Sequence, residues 1–476
     1  FTNAYGFYSL TVPAGQYDMA VSYIGYQKRV LPAISGSRDL LLSFDEGLEE
    51  VSITVQKEKP TDHVHLTAQG INKYAVPLGD NDVMRALQHT PGVQPGYDGT
   101  ITMNVRGGDP SQNLYMLDGV PLYYIDHMVS ISSSFNTEAI KSVDFYTGAF
   151  PSRYGGRLSS VVDIYTKDGD MERFGGSAKI GLLNGNATLE GPLIKGKASM
   201  IVSARRSWAD LLQKVLDTSQ AAKDVKVDFY DINAKINYQP NSNNRFYLSA
   251  YKGRDQLGFE DNEDPSAFPI LFRWGNMFVA GKWTAVLGPK VFLNTTATYS
   301  EFRYDLKSAY FNPVTLESKL SRSNSSIRER ALKSQLSWNM SDAHRLEMGG
   351  QYSNATFDPA TISLEDGTPF SAYALSPGQQ FSSNELVAYV EDEWKPFSRL
   401  KIRAGLNMAY WVNKDFSYPM LQPRLHINYK LTNDLSLYAS ATRMAQFLHL
   451  VDNSLFGIPS QFWLPSTARL RPETSL

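Results

Sequence analysis

Few side chains in this sequence could hold a metal. His63-Val64-His65 sets two imidazoles two residues apart, and Glu260-Asp261-Asn262-Glu263-Asp264 offers the oxygen ligands that Ca²⁺ takes. The first alternation suits an exposed strand or linker, and solvated charge on a long loop is far commoner than a calcium site. No metal and no cofactor is therefore expected. Cysteine is absent, which excludes a thiolate centre and a disulfide framework and is compatible with export through an oxidising compartment. HExxH, P-loop and nucleophile-elbow texts are missing too, so an enzyme is the weakest class. The formal charge of -2 advertises no nucleic-acid partner.

Turn chemistry is denser than catalytic chemistry. Between Thr90 and Lys167, glycines punctuate short apolar strands. The strand Met103–Val105 halts at Arg106-Gly107-Gly108, where backbone without Cβ can turn sharply. Tyr115-Met116-Leu117 runs into Asp118-Gly119, the strongest short-range hairpin signal. Arg153-Tyr154-Gly155-Gly156-Arg157 closes the stretch. Asp80 or Asn81 can cap a short helix with Val83, Met84 and Leu87 on one face, ended by Pro91-Gly92. Asn136 can cap a shorter one before a strand over 142–146. A compact α/β domain over 77–170 follows from these features.

Upstream, 1–46 reads as short strands at 7–12, 16–23 and 40–44, separated by Pro-Ala-Gly and Ser-Gly-Ser turns, hence a small β-sandwich. The chain starts at Phe1 without Met, within what reads as a strand, so an incomplete start is expected. Residues 47–76 hold Glu49-Glu50-Val51-Ser52-Ile53-Thr54-Val55 and then a charged linker. The segment 49–55 is either the sandwich's last strand or a free strand offered to a partner's sheet edge.

Downstream, over 171–476, the period is 2. Ile402, Ala404, Leu406 and Met408 alternate with Arg403, Gly405 and Asn407, and Leu425 and Ile427 with Arg424, His426 and Asn428. Short turns (241–244, 288–290, 341–344, 396–399, 432–434) alternate with long connections (207–226, 254–273, 305–328, 358–380). This is the pattern of an outer-membrane barrel with short periplasmic turns and long extracellular loops. Tyr238, Trp338, Trp394 and Tyr429 sit on apolar faces beside short turns, as an interfacial girdle would. The segments number roughly thirteen, against the even count of bacterial barrels, and only a barrel of about 22 strands has room for an internal domain of this size. The fold class expected is mainly β: an N-terminal sandwich module, an α/β plug domain, and the first part of a transmembrane antiparallel barrel that continues past this chain.

The texts LQHTPGVQ, VRGGDPSQNLYMLDGVPLYY, FYTGAFPSRYGGRLSSVVDI and GPLIKGKASMIVSARRSWADLL together carry a family resemblance. With NAYGFYSLTVPAGQYDMAVSYIGYQKRV, which is similar to a carboxypeptidase-regulatory-like module, the chain resembles a TonB-dependent outer-membrane transporter of a Gram-negative bacterium. The resemblance implies energy-coupled import of a scarce or bulky nutrient, whether a small molecule, a peptide or a glycan. The implied partners are TonB, with ExbB and ExbD in the inner membrane, and outer-membrane lipid. The plug text is closer to receptors without an obligatory lid lipoprotein than to the starch-utilisation branch, which leaves a surface lipoprotein as an optional partner. An outer-membrane signalling receptor or an adhesin is the alternative function.

By the same resemblance, substrate meets Tyr97, Asp98, Asp109, Gln112, Tyr123, Tyr124, Asp126 and His127. Glu49 to Val55 is the TonB-coupling segment. Arg106, Arg153 and Arg157 latch the plug, with Glu391 and Glu393 as wall partners.

Overall fold

The computed structural model describes residues 8, 17–21, 29–31, 40, 63–74, 81–96, 100–128, 130–211, 225–259, 270–312, 317–364, 380–432, 434–451 and 462–476. Of the N-terminal module it describes one antiparallel pair, Met19–Val21 with Arg29–Leu31. The sandwich otherwise, Glu49 to Val55, Tyr97, Asp98 and the acidic loop all lie outside the described residues.

The plug is built on five strands: β1 (His63–Thr67), β2 (Asn113–Leu117), β3 (Val120–Pro121), β4 (Ile140–Tyr146) and β5 (Ser160–Thr166), in the order β1-β4-β5-β2-β3. Residues 63–67, whose His-Val-His alternation suits an exposed strand or linker, form the edge strand of this sheet. β2 and β3 are joined by Asp118-Gly119, whose φ angles of 51° and 85° are those of the turn the Asp-Gly pair favours. Two short helices, α1 (Ala68–Ile71) and α2 (Val83–Gln88), pack on the sheet, and Val83, Met84, Ala86 and Leu87 are buried. The cap of α2 is Asp82, not Asp80 or Asn81. Its Oδ1 accepts from the amides of Met84 and Arg85, and its Oδ2 takes the amide of Ser133, so the same carboxylate ties the helix to the next layer.

Thirteen consecutive strands then form one antiparallel meander, matching the segment count from sequence. They are β6 (Gly175–Ile180), β7 (Asn184–Ile194), β8 (Ala198–Ser207), β9 (Val225–Asn241), β10 (Asn244–Phe259), β11 (Ile270–Gly288), β12 (Val291–Asn312), β13 (Glu317–Asn339), β14 (His344–Leu364), β15 (Phe381–Phe397), β16 (Leu400–Asn413), β17 (Ser417–Lys430) and β18 (Ser436–Thr442). The sheet curves round the plug with one face inward and the other outward.

The short turns carry their own stops. Asn241 Oδ1 accepts from the amides of Asn243 and Asn244, and Ser341 Oγ from those of Ala343 and His344. At the opposite end the strands differ from expectation. β12 and β13 stay paired from Val291–Trp338 up to Asn312–Glu317, so the connection expected over 305–328 is largely ladder. Both strands exceed 20 residues, whereas about 9–11 suffice to cross the apolar layer. Main-chain pairing carries on once the wall has left the lipid, because each further pair satisfies backbone groups already aligned by the strand below.

On the outward face Leu248, Leu332 and Leu386 are half-exposed, and near the short turns Tyr238, Phe246 and Trp283 stack in a row, with Trp338 and Trp394 further round. After β18 the chain turns back over the plug as a hairpin, β19 (Leu448–Val451) with β20 (Phe462–Pro465).

Candidate functional site

Buried polar contacts join the plug to the wall, and three clusters of them stand out among the described residues. The first centres on His127, on the short strand Asp126–His127 that pairs with Ser132–Ser133. Its ring stacks on Phe229 at 4.2 Å. Nδ1 lies 2.5 Å from Asp255 Oδ2, and Nε2 lies 2.9 Å from Asp231 Oδ1. Both neighbours are acceptors, so the ring satisfies them only by carrying both protons. Burial pulls the imidazole pKa down, but Asp231 and Asp255 outweigh it and push it up to about 9. Arg205 and Tyr251 complete the cluster on Asp231, at 2.6 and 2.7 Å. Two carboxylates thus face an imidazolium and a guanidinium.

The second place is the Asp118-Gly119 turn. Asp118 accepts from the amide and hydroxyl of Thr166 within the plug. Three wall lysines reach the turn: Lys235 to the Asp118 carboxylate at 3.5 Å, Lys282 to the Asp118 carbonyl at 3.4 Å, and Lys333 to the Gly119 carbonyl at 3.0 Å. Lys235 also pairs with Asp168 at 2.9 Å. Burial raises the Asp118 pKa, but the lysines and Thr166 more than offset it and hold the group below the ordinary carboxylate value.

At the third place the plug segment 149–157 lies on β14–β17. Arg153 donates to Glu347 at 3.1 Å and to the hydroxyls of Tyr146 and Tyr154. Glu391 accepts from the amide and hydroxyl of Ser152 at 2.7 and 2.9 Å, and Glu393 pairs with Lys395 and Lys401 of the wall itself. Neither expected wall carboxylate therefore faces a plug arginine; the partner of Arg153 is Glu347. Arg106 is exposed and passes over Gly148 inside the plug. Arg157 lies over the Trp463 ring at 4.6 Å and donates to the Gly156 carbonyl.

Further contacts here run the other way, from wall to plug backbone. Arg424 donates to the carbonyls of Phe150, Pro151 and Tyr154, Arg403 to that of Ala149, and Asn407 to that of Ser152. Sequence reasoning missed Arg403, Asn407 and Arg424, although each sits on the polar side of an alternating strand.

The apical candidates are drawn into the interior. The Tyr123 hydroxyl donates to Glu329 at 2.7 Å with its ring against Trp463, and Tyr124 lies between Trp274 and Phe302. Asp126 accepts from the Ser130 hydroxyl, and burial lifts its pKa to about 6. Asp109 and Gln112 form a capping box around Pro110–Gln112, and Gln112 also donates to Glu473. A triad-like arrangement joins Ser466, His449 and Glu473, with contacts of 3.0 and 2.9 Å. It offers no nucleophile, because Ser466 is fully buried and its hydroxyl donates to the Phe447 carbonyl.

His63 and His65 converge on Asp144 of β4 at 3.0 and 2.8 Å, and no metal-ligating cluster of three or more occurs among the described residues. The Asp144 bond raises the His65 pKa above its ordinary value, against the opposing pull of burial. Burial raises the Asp144 carboxyl, but both histidines drive it well below the ordinary value. A raised histidine stabilises fully below its unfolded pKa, and this is lost as pH rises through the folded one. Asp144 stays ionised throughout that range. Hydrogen exchange of residues 63–67, corrected for intrinsic rate, should therefore be slower at pH 6 than at pH 8.5; equal protection would show that the clasp carries no charge.

A sheet wrapped round a polar-latched plug defines a plugged outer-membrane barrel. The family model of the TonB-dependent receptor plug domain matches residues 60–162, and that of the TonB-dependent receptor-like β-barrel matches 153–476. The chain belongs to the TonB-dependent receptors, outer-membrane proteins of Gram-negative bacteria that import nutrients with energy delivered through TonB. Among solved structures it is similar to the siderophore receptor PirA from Acinetobacter baumannii (TM-score 0.61, 18% identity, covering 89% of this chain and 68% of that one). It is also similar to the ferric enterobactin receptor PfeA from Pseudomonas aeruginosa (0.60, 14%, 87% and 68%) and to the outer-membrane transporter YddB from Escherichia coli (0.60, 13%, 81% and 61%). A search of curated proteins finds no match.

Proposed function

We propose that this receptor imports a scarce or bulky nutrient, a small molecule, peptide or glycan, by energy-coupled movement of the plug. In this reading Glu49 to Val55 form the coupling segment for TonB, driven by ExbB and ExbD. The observation that carries it is the character of the plug–wall interface. Its anchors are hydrogen-bonded charges, which add little net stability yet strongly penalise the loss of a single partner. Such an interface suits a body that is either docked or released. The wall arginines hold plug carbonyls rather than side chains, so the contact can be remade after movement.

Tyr123 and Tyr124 are proposed to meet substrate when the Trp463 strand yields its place. Tyr123→Ala combined with Tyr124→Ala should then weaken substrate binding by about tenfold or more, the loss of two packed aromatic contacts, with barrel assembly and heat resistance unchanged. Unchanged affinity in a titration of purified protein would move the site to the barrel loops. The transport reading itself is tested by single-channel conductance of the intact protein: a large steady current would mean an open pore and overturn it.

A further inference from the structure

The inward face of the wall changes character towards the long-connection end. On β12 Thr296, Thr298 and Ser300 give way to Phe302 and Tyr304, and on β14 Ser353 gives way to Ala355 and Phe357. Phe302, Ile327 and Phe357 are register partners across β12, β13 and β14, so they form one belt at one level of the lumen, and Trp274 joins it as the partner of Tyr304. The lumen of such a barrel is ordinarily polar. An apolar belt there calls for an apolar cover, because each ring left in water forfeits its transfer free energy.

The cover is the chain's own hairpin. Leu448 and Leu450 of β19 and Phe462 and Trp463 of β20 pack into the belt together with Tyr123 of the plug. Trp463 is held in three ways: its ring meets Tyr123 edge-on at 6.1 Å, its face carries the Arg157 guanidinium at 4.6 Å, and its Nε1 donates to the Tyr123 carbonyl at 3.3 Å. β20 is an extended Phe-Trp-Leu-Pro segment laddered on β19, with Trp463 opposite Leu450. The root of the excursion is fixed separately. Met444–Gln446 pairs with Glu473–Ser475, His449 is tied to Glu473 at 2.9 Å, and the Ser466 amide donates to the Phe447 carbonyl at 2.8 Å. These ties lie at the foot of the hairpin and involve neither Phe462 nor Trp463, so the upper part of β20 can be exchanged without disturbing them.

We propose that β20 is a built-in occupant of the substrate site, and that the substrate is an extended peptide carrying a large aromatic side chain, which takes the place of β20 beside β19. A peptide supplies both things that β20 supplies: amide donors and acceptors in register with β19, and a ring with an N–H to sit between Tyr123 and Arg157. A glycan offers no such ladder. The proposal rests on the import reading and narrows its substrate.

The test titrates purified full-length receptor with a capped, fluorophore-labelled Phe-Trp-Leu-Pro peptide, read by fluorescence anisotropy. In the wild type β20 competes at the high effective concentration of a tethered segment, so Trp463→Ala should tighten probe binding by about tenfold or more. Phe462→Ala should do so in smaller measure, and adding Tyr123→Ala to Trp463→Ala should remove the gain. Replacing the probe's Trp by Ala, or methylating its backbone amides, should weaken it by about tenfold. Heat resistance of the barrel reports assembly; should Trp463→Ala fail to assemble, Phe462→Ala alone must still tighten the probe. Unchanged or weaker binding by both variants would make the hairpin ordinary packing and overturn the proposal. Equal binding of the methylated probe, or of tryptophan amide alone, would reduce the belt to an aromatic pocket and overturn the peptide assignment. No energy source enters the titration, so such a failure beside a closed pore in the conductance measurement strikes the peptide and leaves import standing.

Discussion

Replacing His127 by leucine should detach one side of the plug from the wall. The imidazolium is the counter-ion that Asp255 faces at 2.5 Å, and Asp231 keeps only Arg205 and Tyr251 once it is gone. Breaking a buried ion pair by deleting one partner costs about 3–5 kcal/mol, because the charge left behind is neither hydrated nor matched. Hydrogen exchange over 126–134 should accelerate by two orders of magnitude or more, roughly what that energy implies. Adding Asp255→Asn should restore much of the protection, since it removes the stranded charge.

The pH dependence has a definite sign. His127 titrates at about 9 when folded, above its ordinary value of about 6.5. The stabilisation is therefore complete below the lower value and lost as pH rises through the upper one. Wild-type protein should loosen at this clasp above about pH 9, and His127→Leu should lack that step. A leucine variant as well protected as wild type would show that Arg205 alone holds the pair of carboxylates.

Val51→Pro or Ile53→Pro should abolish substrate accumulation while leaving surface binding intact. The outer membrane has no ATP and little usable ion gradient, so uphill import must be driven by a partner that pulls on the chain. In the proposed coupling role, the alternating Val51, Ile53 and Val55 would offer a strand to that partner's sheet, where main-chain hydrogen bonds would supply the grip. Proline deletes a donor and fixes φ, whereas Val51→Ala changes only a side chain and should do little.

The fold adds a route for the pull. Among the described residues the next element, β1, is the outermost strand of the plug sheet and pairs there with β4 alone, from His63–Tyr146 to Thr67–Ser142. An edge strand peels from its end, one pair at a time, at far lower force than a central strand sheared as a whole. Uptake and surface binding should be measured separately on whole cells. Normal transport by both proline variants would place the coupling site elsewhere in the receptor.

The sequence by itself determined the periodic features. Alternation gave the number of wall strands and which face of each is apolar, because a period of 2 follows from the pleat whatever the neighbours are. Asp118-Gly119 fixed its turn because both residues tolerate positive φ, a local requirement met by local chemistry.

The tertiary structure decided which polar groups meet. Arg403 and Arg424 sit on the polar face like Lys401 or His426, and only the closing of the sheet round the plug brings those two to the carbonyls of 149–154. Glu347 rather than Glu391 faces Arg153 because strand register, set by the ladders, places each residue at a depth that alternation leaves open. The extension of β12 and β13 was hidden for a related reason. Beyond the lipid nothing forces the outward residues to be apolar, so Asp305 to Arg328 reads as loop, while backbone pairing, which carries no sequence signature of its own, continues the wall.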